Sequence, residues 1–268
     1  MSEFLVIDVK RRNGVPAYQV VSLAPTVNEY ALIIPVINEN GRLTRQLEQL
    51  REFHSVIDIF IADGQSTDGS TLPRLLKDAG VNSLLTILSP GKLSAQLRMA
   101  IDHCMQRGYK GIITMDGNNK DGVDGVLKIL AELKNGFDFV QGSRFVSGGK
   151  AVNTPMGRNL AIRFIHAPIT SIASRFRFTD TTNGFRGYSL RFLTDPRVAP
   201  LREVFHSYEI LAYLPIRASQ LGFRIVEVPV TRSYPKEGRT PTKIHGISAH
   251  FKMLLILLKA AVGFYRPI

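Results

Sequence analysis

The sequence predicts an α/β fold built on a mostly parallel sheet flanked by helices. Apolar runs of strand length, such as 30–36 (YALIIPV) and 56–62 (VIDIFIA), run on with little polar alternation, as strands buried on both faces do. These runs alternate with segments whose apolar residues recur at helical spacing, which implies right-handed βαβ crossovers. A chain of 268 residues, 44% hydrophobic and 21% charged, is long enough for a substantial core and too apolar for general disorder.

Taken in order, residues 4–9 and 17–23 flank Asn13-Gly14, a good hairpin turn, so residues 1–27 are expected to form an N-terminal β-hairpin extension outside the main fold. After the strand at 30–36, Leu43, Leu47 and Leu50 mark a helix. The strand at 56–62 leads through a Gly/Ser/Asp loop to a helix at 70–79. The strand at 84–88 precedes a helix with Leu93, Leu97, Ala100, Ile101 and Cys104 on one face. The strand at 111–115, a helix over 123–135 and the strand at 137–142 complete the alternation. Beyond it, helices are expected at 156–174 and 205–221 and strands at 184–190 and 224–230, the last followed by a basic Pro/Gly-rich loop. No low-complexity linker divides residues 28–246, which are read as one domain. Residues 247–268 are read as a C-terminal amphipathic helical segment. Its apolar run, 253–264, is broken by Lys259 and falls short of the ~20 residues needed to span a bilayer. It suits either a core helix or one lying in the membrane interface, with Lys252, Lys259 and Arg266 at the headgroups.

The formal charge of +12 suits three kinds of partner: nucleic acid, an anionic membrane surface, or phosphate-rich small molecules. Basic residues concentrate at 10–12, 158–177 and 232–243, without an RNP-like aromatic motif or paired-cysteine spacing, so no nucleic-acid partner is expected. The single cysteine, Cys104, excludes an intramolecular disulfide framework and a Cys-based zinc cluster. No signal peptide is visible at the N-terminus. A cytoplasmic protein is expected, placed at the inner face of the membrane if the basic charge meets lipid.

In a parallel sheet ligands bind beyond the carboxyl ends of the strands. Three loops are expected there: Asn38-Glu39, 62–70 (ADGQSTDGS) and 115–121 (MDGNNKD). Asp63, with Gly64, Gly69 and small hydroxyl residues, reads equally as a capped βα turn. Asp116 at a strand end can hold Mg²⁺ or Mn²⁺ that also binds a diphosphate, since such ions need only one or two protein carboxylates. The same letters also make an Asx turn. Arg144 in QGSRF offers a planar fork to phosphate, or an ordinary salt bridge. Residues 179–189 place Asp180, Thr181, Thr182 and Asn183 ahead of Gly184. His166, His206 and His245 show no metal-ligand spacing, and no Gly-x-Ser-x-Gly, Walker A or Gly-x-Gly-x-x-Gly motif is present.

In order, IIPVINEN, IADGQSTDGS, ITMDGNN, GSRF, DTTNGFRGYS, HSYEI and GFRIVEVPV followed by GRTPTK resemble the motif series of inverting family 2 glycosyltransferases with the GT-A fold. The later elements are most similar to the dolichyl/polyprenyl-phosphate mannose or glucose synthase branch. The resemblance covers roughly residues 30–260. It implies transfer of a sugar from a nucleotide-diphosphate donor to a polyprenyl phosphate or to another lipid or glycan acceptor. Pro35, Asn38, Glu39, Asp63 and Asp116 match donor nucleotide-binding positions. Asp116 and Asn118 match the two acids of the D-x-D metal motif, the second being an amide here, and Lys120 stands where the lipid-phosphate branch often has Gln. The catalytic matches are Arg144, Arg158 and Asp180, and the acceptor-side matches are Glu209, Arg239, Thr242 and Lys243. With a phosphate acceptor Asp180 is a positioning residue; with a sugar hydroxyl it is the base. The altered metal motif leaves a second reading, a nucleotide-sugar-binding protein without transferase activity. A sugar-phosphate nucleotidyltransferase would open with a Gly-rich loop that IPVINENGRL does not resemble. Restoring the missing charge tests the metal assignment: Asn118→Asp is expected to bind Mn²⁺ more tightly when nucleotide is present, and an unchanged titration would count against Asn118 lying at the metal.

Overall fold

The computed structural model describes residues 6–12, 14–236 and 246–267. The chain divides into two compact units, Met1–Asn119 with Pro200–Ser207, and Lys120–Ala199 with Tyr208–Ile268.

The first unit holds β1 (Val6–Arg12), β2 (Val15–Ser22), β3 (Tyr30–Val36), α1 (Gly41–Leu50), β4 (Asp58–Asp63), α2 (Pro73–Asp78), β5 (Ser83–Ile87), α3 (Leu93–Gln106) and β6 (Gly111–Thr114). Its strands run in the order β1-β2-β5-β4-β3-β6. The pairs β5–β4, β4–β3 and β3–β6 are parallel. The expected hairpin forms, and it does not stand apart: β2 pairs antiparallel with β5 and extends the sheet at that edge. Inward-facing Tyr18 and Val20 give β2 an apolar face to bury. Ala31 to Ile34 and Ile59 to Ala62 are fully removed from water, as expected of strands covered on both faces.

In α1, Leu43, Gln46, Leu47 and Leu50 are buried at a spacing of three and four, so a glutamine sits on the apolar stripe. α3 packs against β2, β3, β4 and β5 and is buried nearly all round, including Cys104. Burial pushes the Cys104 thiol pKa far above its ordinary value.

The second unit holds α4 (Gly125–Lys134), β7 (Phe139–Ser143), β8 (Lys150–Val152), α5 (Met156–Ala161), α6 (Ala167–Ser174), β9 (Arg186–Ser189), α7 (Leu190–Thr194), α8 (Glu209–Gln220), β10 (Ile225–Pro229), β11 (Thr231–Ser233) and α9 (Gly246–Ala261). β7 lies between β9, antiparallel, and β10, parallel, while β8 and β11 form a separate parallel pair. The single helix expected over 156–174 is interrupted by a π-helical turn, Ile162–His166. Pro168 follows at once, and its missing N–H cannot serve the carbonyl four residues back. α6, α8 and α9 pack together. α9 buries Ile256, Leu257 and Ala260 but leaves Phe251, Leu255 and Leu258 in water, so one face is core and another is exposed yet apolar. No helix among the described residues is long and apolar enough to cross a membrane.

The start of β4 carries the main structural carboxylate of the first unit. Asp58, buried, accepts the backbone N–H groups of Val27 (3.0 Å) and Asn28 (3.2 Å), the Asn28 side-chain amide (2.8 Å) and the Tyr109 hydroxyl (2.6 Å). Asp58→Ala strands these donors and is expected to cost about 3 kcal/mol, read as a lower urea midpoint with an unchanged m-value.

Candidate functional site

At the carboxyl ends of β3, β4 and β6 the first unit closes three loops on one another. Asn38 N–H donates to Ser66 Oγ (3.0 Å), and the Asn38 amide oxygen accepts from Thr67 N–H (2.8 Å). Asn40 N–H donates to Asp68 Oδ2 (2.7 Å). Asp63 ends β4, buried, and accepts Ser66 N–H (2.9 Å); burial raises its carboxyl pKa against the lowering effect of the Ser66 and Thr71 hydrogen bonds. Glu39 pairs with Arg42 at 3.0 Å. Asn38, Asn40, Gln65 and Asn119 all take positive φ, so the backbone of this edge is held in left-handed turns.

Two glutamines, invisible to motif reading, fix this edge. Gln96 Nε2 donates to the carbonyls of Val36 (2.8 Å) and Ala62 (2.9 Å), tying the last turns of β3 and β4 together. Gln46 Nε2 donates to the Asp116 carbonyl (3.0 Å), and its Oε1 accepts Asn119 N–H (2.9 Å), bracketing the loop after β6. The only sequence signal for Gln46 is its position on the apolar stripe of α1. Within the loop, Gly117 lies against β3: a Cβ there would sit 3.0 Å from Val36 Cγ2 and 3.2 Å from the Pro35 carbonyl. That contact explains the small residue between Asp116 and Asn118.

The loop also brings two side-chain oxygen donors together. Asn118 donates to the Asp116 carboxylate (3.4 Å), while its own Oδ1, shut off from water, accepts no hydrogen bond among the described residues. An orphaned oxygen beside a carboxylate suits a hard ion that takes oxygen ligands. No group of three or more His, Cys, Asp or Glu among the described residues is placed to hold a metal. Asp116 and Asn118 by themselves would supply at most two oxygen donors, so an ion held there would need phosphate and water to complete its shell.

The second unit gathers cations. Arg144 follows β7 and meets Asp180 through a two-pronged pair, Nε to Oδ2 at 2.6 Å and Nη2 to Oδ1 at 2.9 Å, with both side chains out of water. Nη2 also donates to Thr182 Oγ1 (3.0 Å), and Nη1 is buried with no hydrogen-bond partner among the described residues. Burial works against the charge, but Asp180 outweighs it and raises the guanidinium pKa. Behind the pair, Glu227 on β10 accepts the N–H groups of Thr179 (2.9 Å) and Asp180 (3.2 Å) and the Thr179 hydroxyl (2.7 Å). Glu227 was not singled out from sequence; a lone acid inside an apolar strand was its signal. Arg232 on β11 donates to Asp121 (2.5 Å) and to the Asn183 amide oxygen (3.1 Å). Arg158 donates to the Tyr234 hydroxyl (3.0 Å), and Lys120 Nζ lies 5.2 Å from the Tyr234 ring centre.

Arg144, Arg158 and Asp180 thus lie within the second unit, and the geometry of Asp180 is that of a carboxylate holding a guanidinium. Glu209 begins α8, and burial together with the Glu209 charge pushes the Tyr265 hydroxyl up to about 12. Arg239, Thr242 and Lys243 lie outside the described residues. Asp180→Ala leaves a buried guanidinium unpaired and is expected to cost about 3–5 kcal/mol in chemical denaturation, whereas the double change Arg144→Met, Asp180→Leu costs far less.

The Glycosyl transferase family 2 model matches residues 31–205. Among curated proteins, an undecaprenyl-phosphate mannosyltransferase of Micrococcus luteus is 29% identical over 202 residues, 74% of this chain and 81% of the relative. Glycosyltransferase AglJ of Haloferax volcanii is 23% identical over 229 residues, 83% of this chain and 69% of the relative. Glucosyl-3-phosphoglycerate synthase of Mycobacterium tuberculosis, solved with Mn²⁺, uridine diphosphate and glucosyl-3-phosphoglycerate, superposes with a TM-score of 0.62 at 14% identity, covering 87% of this chain and 78% of that one. Its complex with Mg²⁺ and uridine diphosphate gives 0.61 at 12% identity, over 87% and 79%. That likeness establishes the GT-A fold. A matched segment spanning most of the chain, on this fold and over this sheet-edge loop, shows that the chain belongs to glycosyl transferase family 2 and is a glycosyltransferase.

Proposed function

We propose that the protein transfers a sugar, with inversion, from a nucleotide diphosphate to the phosphate of a polyprenyl lipid at a membrane surface. One observation carries the choice of acceptor: the carboxylates in the cation cluster of the second unit are already committed. Asp121 holds Arg232, Asp180 holds Arg144, and Glu227 holds the Thr179–Asp180 backbone. A sugar hydroxyl needs a base to take its proton. A phosphate monoester is anionic already and needs cations to bring it in. One curated relative supports this reading, being by name an undecaprenyl-phosphate mannosyltransferase.

In this reading the loops of Pro35, Asn38, Glu39 and Asp63 take the nucleoside, and Asp116 with Asn118 takes the metal–diphosphate. The metal, when bound, neutralises charge building on the departing diphosphate. A phosphate oxygen of the acceptor attacks the anomeric carbon as the bond to the donor's β-phosphate breaks, and no proton has to be removed. Arg144 offers to phosphate its Nη1, which has no partner among the described residues, and Arg158 and Lys120 add charge-assisted donors. Asp180 keeps Arg144 in place.

The membrane placement rests on charge and exposure in the second unit. From residue 144 to 179 the chain has six Lys or Arg and no acid, and none occurs from 246 to 268. These stretches carry outward-facing Met156, Phe164 and Ile172 (78%, 72% and 80% exposed) and, on and after α9, Phe251, Val262 and Phe264. Exposed apolar side chains on stretches that carry cations and no acids suit the interface of an anionic bilayer.

The test offers labelled UDP-, GDP- and dTDP-sugars with Mn²⁺ to a polyprenyl phosphate, the matching polyprenol and a saccharide panel. Product is expected with the phosphate alone, and the protein is expected to float with anionic but not zwitterionic vesicles at low salt. Equal transfer to polyprenol or saccharide overturns the acceptor assignment; absence of flotation overturns the membrane placement.

A further inference from the structure

Tyr234 has no role in the motif series, yet it sits at the centre of the cations of the second unit. Its main chain is fixed on both sides: its N–H donates to the Val152 carbonyl (3.0 Å), and its carbonyl accepts from the Asn153 side chain (3.2 Å). The side chain is buried. Lys120 Nζ lies 5.2 Å from the ring centre and the Arg158 guanidinium carbon 5.5 Å from it. The same Arg158 reaches round to donate Nη1 to the phenol oxygen at 3.0 Å. One ring therefore meets two cations that come from different segments, the loop before α4 and the helix α5.

Two like charges meet at one ring. The face of an aromatic ring attracts cations, more strongly where water is excluded. The phenol oxygen adds a fixed acceptor, which orients the guanidinium. We propose that Tyr234 is a positioning residue that presents Lys120 and Arg158 together to a phosphate-bearing ligand. This rests on the reading that the cluster takes such a ligand.

The charges around the phenol give the role a signature. Burial raises its pKa, but Arg232, Arg158 and Lys120 outweigh burial and bring it down to about 8. Arg144 also faces it. Arg232 and Arg144 have Asp121 and Asp180 as partners. Below that pH the phenol is neutral and neutralises none of the cations' charge. Above it the phenolate takes up part of their charge, and an anionic ligand binds less well.

The experiment compares wild type with Tyr234→Phe, which keeps the ring, and Tyr234→Leu, which removes it. The probes are farnesyl phosphate, with farnesol as control. For Tyr234→Phe a three- to tenfold rise in acceptor KM with little change in kcat is expected, and for Tyr234→Leu a rise of thirtyfold or more. The wild-type KM is expected to climb above pH 8 and the Phe variant's to stay flat. Absorbance near 295 nm supplies a readout independent of turnover: the wild-type minus Phe difference titration is expected to show a phenol ionising near pH 8, shifted upward by farnesyl phosphate but not by farnesol. Circular dichroism establishes that each variant folds. An unchanged KM and pH profile in a folded Tyr234→Phe, with a phenol titrating near 10, overturns the proposal. If farnesyl phosphate is no acceptor for wild type but still shifts the phenol titration, the acceptor assignment fails and Tyr234 keeps its place at an anion site.

Discussion

Polar groups taken out of water must be bonded, and most of what this chain does follows from how it meets that requirement. Parallel strands buried on both faces deliver backbone carbonyls to a sheet edge where no further strand continues. Gln96 and Gln46 take up carbonyls there, and in doing so hold the edge and the loop after β6 rigid. In the second unit the same demand is met with charges. Arg144 stays ionised in the interior because Asp180 meets it with two oxygens, and the residues around Asp180 are fixed because Glu227 collects their N–H groups. Each arrangement leaves something over. Among the described residues, in one it is the Asn118 oxygen and in the other the Arg144 nitrogen.

The layout of strands and helices was legible because its signal is local. Continuous apolar runs gave β3, β4 and β6, and helical spacing gave α1, α3 and α4. The hairpin turn at Asn13-Gly14 was equally plain, but the partner of β2 was not, since pairing with β5 joins residues far apart in the chain. The π turn ahead of Pro168 was missed because the apolar spacing of 156–174 carries through it.

At the site, the sequence showed which residues end strands and left open what they touch. Asp63 and Asp116 were found by position. Gln46 was hidden among leucines, Glu227 inside a strand, and Tyr234 in a loop that reads only as basic and Pro/Gly-rich. What makes each of them matter is a contact with a residue tens of positions away, and spacing within a motif does not record such contacts. Asp180 shows the reverse case: the motif marks it, and the two oxygens given to Arg144 define what it can do.

The one sulfhydryl of the chain lies inside α3, beyond the reach of solvent and with its thiol held protonated. The folded protein therefore has no reactive thiol of its own. A cysteine introduced at an outward position of α9, or on the exposed side of α5, would be the sole site for a fluorophore or spin label. The native sequence thus already provides the silent background that spectroscopic work at a lipid surface requires.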